Sequence, residues 1–484
     1  MHICARWSRR PIHAPLANDA AARTRCRVRR SITSLACVAL SLFLTGALAA
    51  TDVPPKPPWQ QEYWARFDNR DWTGAIESAE ALVAAARPAT PDNALRLAEA
   101  LSLLGNAQLG AANYAAAEAA FTEALQLTEK YSDRGSVKLI DPLRGLGYTL
   151  AARGEHAKAI PYMDRALLIS RRSIGLFDVS QEGLLRQLAT SLATIGEPVE
   201  GEKHMQYLLR MGEHAYGKKN QQMVALHCIV GRWYADVAQM EQARRAFRDA
   251  LSIAEKSAGR NDVLIVQPLR GLASTFTEEI ALTAVGIDTR KDRLTTKPED
   301  TMNDVTEPYN PRYIAAEGER ALLRAIKALD ADPHASQAQL VETLVQTGDW
   351  YLLKMQPTRA MPFYARASSI IESHSEQELG SAATLLSFPM PVYYTPPPLA
   401  LRNRLLPPNM VTERFVQVDF TVNPDGTIKD ARLVDKDGSE RQASQTLDAI
   451  KDARYRPKFV NANPVTTEAV SFRQLFREPK RDSE

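Results

Sequence analysis

The chain has 484 residues, of which 45% are hydrophobic and 24% are charged, a composition typical of a globular protein with two or three domains. Its 23 glycines and 29 prolines are too few for a collagen-like or low-complexity chain. The net charge is +3, but residues outside the arginine-rich segment 1–49 carry 52 basic and 56 acidic side chains, which excludes the electrostatic signature of a nucleic-acid-binding protein.

Residues 1–49 have the pattern of a cleaved secretory signal peptide. The basic segment "RVRR" precedes the apolar segment "LACVALSLFL", and "ALAA" offers small residues for cleavage after Ala49 or Ala50. The alternative is an uncleaved membrane anchor, because the 20 residues 31–50 are barely long enough to span a bilayer. Cleavage would leave Cys228 as the single cysteine, so the exported chain could form no internal disulfide.

A period of 42 residues runs through the middle of the chain. The pentapeptide "PLRGL" occurs at 142–146 and again at 268–272, three periods apart. One motif recurs at this spacing. It has a small residue, then a large residue four positions later, then a pair of small or apolar residues that begins three positions after that. Its copies start at Ala75, Ala117, Ala159, Gly201, Ala243, Gly318 and Ala360. Twelve positions before six of these starts, counting the one expected at position 285, lies a second column of small residues, formed by Gly105, Gly147, Ala189, Gly231, Ala273 and Gly348.

This spacing predicts stacked pairs of helices. Intervals of three, four and seven place the large residues on one helix face, and the small residues let a partner helix approach closely. A coiled coil would instead show a period of seven without the glycine column. The start expected at position 285 comes 33 residues late, at Gly318, so a polar insertion is expected at about 283–311. Whether this insertion is a functional loop or a disordered segment stays open.

The two columns resemble the tetratricopeptide repeat, and text such as "FRDALSIAEKSAG" resembles the 42-residue repeats of kinesin light chain, over residues 59–375. The resemblance implies an α-solenoid whose first helices line a concave groove. Residues beside the glycine column would then form a partner-binding groove, with the candidates Arg144, Arg186, Arg232, Arg270, Tyr148 and Asn106. Arginine suits carboxylates, so the groove would bind an acidic or extended peptide. The alternative is that these arginines are simply exposed or pair with neighbouring repeats.

The pattern changes after about residue 375. Residues 376–411, which include "FPMPVYYTPPPLALRNRLLPP", read as an extended Pro-rich linker. Alternation of apolar residues from Val416 to Val422 predicts a half-buried strand, "NPDG" a turn and "TIKDARLV" the paired strand. A short amphipathic helix follows in "ASQTLDAIKDA", and "TEAVSFRQLF" reads as the last strand. The expected order is therefore ββαβ, so that the whole chain is mostly α with a small α+β domain at its end.

This order, with "VQVDFTVNPDGTIKDARLVDKDG" and "LDAIKDARYRPKF", resembles the C-terminal domain of TonB over residues 412–478. "NANPV" departs from the family, which often has Asn-Gly there. The family binds a segment of outer-membrane transporters by strand addition at a sheet edge, which here implies the last strand, with Val470, Phe472 and Gln474. The alternative is a small domain that merely caps the solenoid.

No catalytic motif is found, and the eight histidines show no metal-ligand spacing. We therefore expect no catalytic residue, no metal and no cofactor. The sequence favours a non-enzymatic periplasmic scaffold that binds proteins or peptides, including outer-membrane transporter segments, but no nucleic acid. The alternative is a TonB-family component of outer-membrane transport, anchored in the inner membrane and facing the periplasm.

Overall fold

The computed structural model describes residues 58–87, 93–285, 316–401 and 411–480. The expected signal peptide lies outside these residues, and so does the insertion expected at 283–311 apart from its first residues. The chain forms two compact units that divide between Leu226 and His227. Within the described residues, no helix is long and apolar enough to cross a membrane.

The first unit consists of paired helices. Each pair joins a first helix to a second helix through a short turn, and neighbouring helices pack in chain order. Its helices are α1 (Gln61–Asp68), α2 (Trp72–Ala86), α3 (Ala94–Gly110), α4 (Tyr114–Tyr131), α5 (Ile140–Ala152), α6 (His156–Ser173), α7 (Glu182–Thr194) and α8 (Pro198–Tyr216), and the division falls within α9 (Gln222–Asp236).

The glycine column is the contact between the two helices of a pair. A Cβ atom on Gly105 of α3 would lie 2.7 Å from the Phe121 ring of α4, and one on Gly147 of α5 would lie 2.4 Å from Met163 of α6. Both large side chains are fully buried. The small residue is therefore required because the large side chain of the second helix lies directly against the backbone of the first.

The second unit continues the same design through α10 (Met240–Ser257), α11 (Val266–Ala284), α12 (Ala316–Ala331), α13 (Gln337–Leu353) and α14 (Pro357–Ser373). Helix α12, which starts beyond the expected insertion, packs against α11 as the second helix of that pair. Its displaced repeat start, Gly318, lies so close to α13 that a Cβ atom would be 2.1 Å from the Trp350 ring. The late copy of the pattern therefore takes the place that the missing copy would have held.

The C-terminal part of the second unit is a three-stranded antiparallel sheet of β2 (Val411–Val422), β3 (Ile428–Lys436) and β7 (Thr467–Pro479), in the order β3-β2-β7. Helix α17 (Glu440–Lys451) packs on β3 and β2, and its start is fixed by a capping box of Ser439 and Gln442. The mostly α architecture with a terminal ββαβ domain is thus confirmed.

Short elements add to this plan. Strand β1 (Met390–Tyr393) pairs with β4 (Arg454–Arg456), and β5 (Lys458–Val460) forms a hairpin with β6 (Asn463–Val465). Gly426 in the β2–β3 turn has a φ of +83°, and a Cβ atom there would lie 2.4 Å from the Tyr455 carbonyl oxygen. Only glycine fits both constraints, so this turn links the hairpin to the strand that follows α17.

The segment 376–401 differs from the extended linker that its prolines suggest. It contains the short helix α15 (Glu376–Leu379), strand β1 and a final helical turn, α16 (Pro398–Leu401), that packs on β7. Its aromatic side chains explain the difference, because Tyr394 is only 9% exposed and its hydroxyl donates to Gln474 Oε1 at 2.8 Å. Burial of this side chain outweighs the preference of a Pro-rich segment for an extended, solvated backbone.

Candidate functional site

The residues of the predicted groove all lie on first helices. The structure places Asn106 on α3, Arg144 and Tyr148 on α5 and Arg186 on α7, all in the first unit. Arg232 on α9 and Arg270 on α11 belong to the second unit.

In the first unit, α5 and α7 bring three of these side chains into one cluster. The Tyr148 hydroxyl oxygen lies 2.8 Å from the position of a Cβ atom on Gly183, so the ring rests against the backbone of α7. Burial raises the pKa of the Tyr148 phenol to about 12, against the opposing effect of Arg144 and Arg186. The hydroxyl therefore remains a neutral donor at physiological pH.

Each groove arginine lies beside a carboxylate of its own chain. Arg144 Nη2 is 2.6 Å from Asp141, and Arg186 Nε is 3.2 Å from Glu182. Arg232 contacts Asp236 and Glu278 at 2.7 and 2.6 Å, and Arg270 contacts Glu342 at 2.7 Å. An acidic partner would have to compete with these internal carboxylates, which weakens the argument for the arginine column as a carboxylate trap.

Replacing Arg270 by alanine should cost little stability. The change removes its ion pair with Glu342 and a 3.2 Å hydrogen bond to Gln346, but both charged side chains are about a quarter to a third exposed. We expect the free energy of unfolding to fall by about 1 kcal/mol in a urea titration. Arg232→Ala, at a more exposed pair, should cost less. A loss of several kcal/mol on replacing Arg270 would contradict the expectation that solvent screens this partly exposed ion pair.

Strand β7 is an edge of the sheet. It pairs with β2 along its length, and among the described residues no strand pairs with its other side. The side chains of Val470 and Gln474 are buried, at 9% and 5% exposure, and Phe472 packs against the Tyr394 ring. The three residues named from the sequence therefore point into the core, because alternate residues of a strand face one side.

An added strand could therefore contact only the free backbone edge of β7 and those of its side chains that face outward. Arg473 and Leu475 are exposed on the outer face, and the Arg473 guanidinium lies 3.5 Å from the centre of the Phe415 ring on β2. Apolar and polar residues alternate in the sequence only from Val470 to Arg473. The buried Gln474 and the exposed Leu475 then break the pattern, so the outward position of Leu475 could not be read from the sequence.

Strand β3 at the opposite edge is less suited to pairing. Five of its nine residues are charged, and its register with β2 is interrupted between Gln417 and Val418 and between Asp419 and Thr421. Asp430 also has a φ of +53°. Charges and bulges of this kind protect an edge from further pairing. Strand β7 has one irregularity of its own, at Ala469 (φ +54°), where its register with β2 shifts, but from Val470 to Pro479 the register is constant, so β7 offers the longer regular open edge.

A buried polar cluster that the sequence analysis missed joins helix α13 to strand β4. Arg456 donates to both carboxylate oxygens of Asp349, at 2.9 and 2.6 Å, and to the Leu385 carbonyl oxygen at 2.9 Å. The Tyr364 hydroxyl donates to Asp349 at 2.7 Å, and burial raises the pKa of this phenol well above its ordinary value. No sequence pattern links positions 107 residues apart, so only the fold reveals this cluster.

Two further kinds of candidate site are metal centres and reactive cysteines. No three His, Cys, Asp or Glu side chains there are placed to hold a metal ion. Cys228 is buried, and burial raises the pKa of its thiol far above the ordinary value. This thiol stays protonated at neutral pH and is a packing residue rather than a nucleophile.

Comparison with known proteins gives one family match and several similar solved structures. Residues 415–476 match the family described as Gram-negative bacterial TonB protein C-terminal. A Podosopora anserina putative kinesin light chain with tetratricopeptide-like repeats is 14% identical, with a TM-score of 0.37, over 41% of this chain and 95% of its own. The apo form of RapI is 12% identical, with a TM-score of 0.43, over 68% of this chain and 80% of its own.

A third similar structure is the C-terminal part of a repeat-containing protein from Cytophaga hutchinsonii, at 12% identity and a TM-score of 0.34, over 66% of this chain and 97% of its own. The comparison with curated proteins finds no match. Paired helices with a 42-residue period thus form a repeat array of the tetratricopeptide type, and the terminal domain matches the TonB C-terminal family over residues 415–476.

Proposed function

We propose that this protein is a non-enzymatic interaction protein of the Gram-negative cell envelope, which captures an extended peptide segment by strand addition to β7. The observation that carries the proposal is the open edge of a 13-residue strand in the domain that matches the TonB family. An added strand would satisfy the backbone groups of this edge, and main-chain hydrogen bonds would supply the affinity.

The surroundings of β7 support this choice of edge. Tyr394 and α16 cover the inner face of the strand, so a bound segment would contact the outward side chains, Arg473 and Leu475. The paired helices provide further surface for a partner, and their first helices carry the arginines described above. In this proposal the repeats bind a protein partner while the terminal domain holds an extended segment.

Site-specific photo-crosslinking in cells tests the proposal. A benzoylphenylalanine residue in place of Arg473 or Leu475 should capture one extended segment of a partner. The matched control is Val434 on β3, which is 50% exposed at the opposite edge of the same sheet. A synthetic peptide of the captured segment should then protect the amides of β7 from hydrogen exchange. Equal capture from Val434, or no protection of β7, would refute strand addition.

A further inference from the structure

The loop between α6 and α7 leaves aliphatic side chains in solvent. Ile174 is 49% exposed and Leu176 is 58% exposed. One period earlier and later, the position of Leu176 is held by Arg134 and Lys218. Packing of the repeat therefore does not require an apolar residue there, and the exposed pair needs another explanation.

The backbone of this loop is held in place beneath the exposed side chains. The Tyr207 hydroxyl donates to the Leu176 carbonyl oxygen, and the Phe177 ring stacks on His214 with ring centres 4.3 Å apart. The Arg171 guanidinium lies 4.3 Å from the centre of the Tyr207 ring. The two aliphatic side chains are thus presented from an ordered backbone, so burying them against a partner costs little further ordering.

Exposed cations lie in the equivalent loops of the neighbouring repeats and in the last turns of the helices that adjoin them. They lie on the same edge of the first unit, because equivalent loops follow at each repeat and Ser173 Oγ donates to the Gly135 carbonyl oxygen of the preceding loop at 3.3 Å. Within the described part of the chain, five of them have no ion pair with a carboxylate, namely Arg134, Lys138, Arg172, Arg210 and Lys219. This edge differs from the first helices, where each groove arginine has a carboxylate beside it.

We propose that this loop edge docks the protein on an anionic phospholipid surface. Ile174 and Leu176 would enter the interfacial region, while the five cations would lie at the level of the headgroups. Unpaired basic residues are attracted to an anionic leaflet, and two apolar side chains that are about half exposed suit a deformable layer better than a preformed pocket. This inference is independent of strand capture by β7.

Hydrogen exchange of the full chain with vesicles tests the docking locally. Vesicles of phosphatidylcholine with phosphatidylglycerol should protect amides in 174–178 and in the flanking loops, and pure phosphatidylcholine should not. The readout is peptide-resolved, so binding through the apolar segment 31–50 does not affect it. Protection should fall as salt is raised, because the attraction is screened. Equal protection by neutral vesicles, or protection by a soluble polyglutamate peptide but not by vesicles, would overturn the proposal.

Paired variants complete the test. Ile174→Ser with Leu176→Ser should weaken binding to anionic vesicles about tenfold or more, because two aliphatic groups no longer enter the interface. The control is Ile195→Ser with Val199→Ser, at the other end of α7, where the side chains are 42% and 43% exposed. The control should bind like the wild type. If both pairs lose affinity equally, or neither does, the loop is not the docking surface.

Discussion

Replacing Arg456 by alanine is expected to lower the free energy of unfolding by about 3 kcal/mol, measured by urea denaturation. Arg456 is 12% exposed and Asp349 is 23% exposed, so the remaining carboxylate would be left largely buried with only the Tyr364 hydroxyl as a donor. The cost comes from the uncompensated charge of Asp349 rather than from the lost contact alone, since solvent reaches neither side chain freely.

Two further variants separate this cause from a general effect of removing an arginine. Arg477→Ala breaks an ion pair with Glu413, whose side chain is 49% exposed, and should cost less than 1 kcal/mol. Replacing the whole cluster, as Arg456→Met with Asp349→Leu and Tyr364→Phe, should recover most of the stability, because no charged side chain is left buried without its partner and only the Leu385 carbonyl oxygen loses a donor. A triple variant as unstable as Arg456→Ala would show that the cluster acts through shape rather than charge.

The cluster also bears on how the terminal domain is held. Besides Arg456, the backbone N–H of Ala462 donates to Glu372 at 3.0 Å, and the Tyr364 and Phe459 rings lie 5.8 Å apart. Strands β4 and β5 therefore pack on α13 and α14 of the last repeat. Together with the ordered segment 376–401, these contacts fix the domain to the final helix pair, whereas an extended Pro-rich linker would leave it free to move.

The repeat could be predicted from the sequence because its packing repeats at a fixed interval. Each contact between a small and a large residue leaves a small and a large letter at the same two positions of the 42-residue period. At Gly348, for example, a Cβ atom would lie 2.3 Å from the Tyr364 ring. The Arg456 cluster could not be predicted, since it joins residues from different domains and occurs once. The outward face of β7 could be predicted only in part. The sequence showed some alternation of apolar and polar residues, but not which of the two sets faces the core.

The structure explains why the pentapeptide "PLRGL" occurs in two of the repeats and not in all of them. The Gly in "PLRGL" is Gly145 in one copy and Gly271 in the other, and a Cβ atom on either would lie 2.2 Å from the ring of Phe121 or Phe247. Both phenylalanines belong to the second helix of the preceding pair. Where that helix carries Met163 instead, the corresponding residue is Gln187. The pentapeptide therefore recurs where a phenylalanine must fit between two first helices.

Replacing Phe121 by alanine is accordingly expected to lower the free energy of unfolding by about 4 kcal/mol, because this fully buried ring fills the space between Gly105 and Gly145. Gly145→Ala alone should cost about 2 kcal/mol, since its Cβ atom has no room beside the ring. In the Phe121→Ala background the same change should instead stabilise the protein by about 1 kcal/mol, because alanine favours the helix and the space is open.

The two substitutions should therefore be coupled by about 3 kcal/mol in a double-mutant cycle based on urea denaturation. Gly135→Ala provides the control, because no atom lies within 4 Å of a Cβ atom at that position. It should change stability by less than about 0.5 kcal/mol in either background. Additive effects of Phe121→Ala and Gly145→Ala would mean that the glycine is retained for helix geometry and not for the ring. The pentapeptide would then need a different explanation, with its arginine as the remaining candidate.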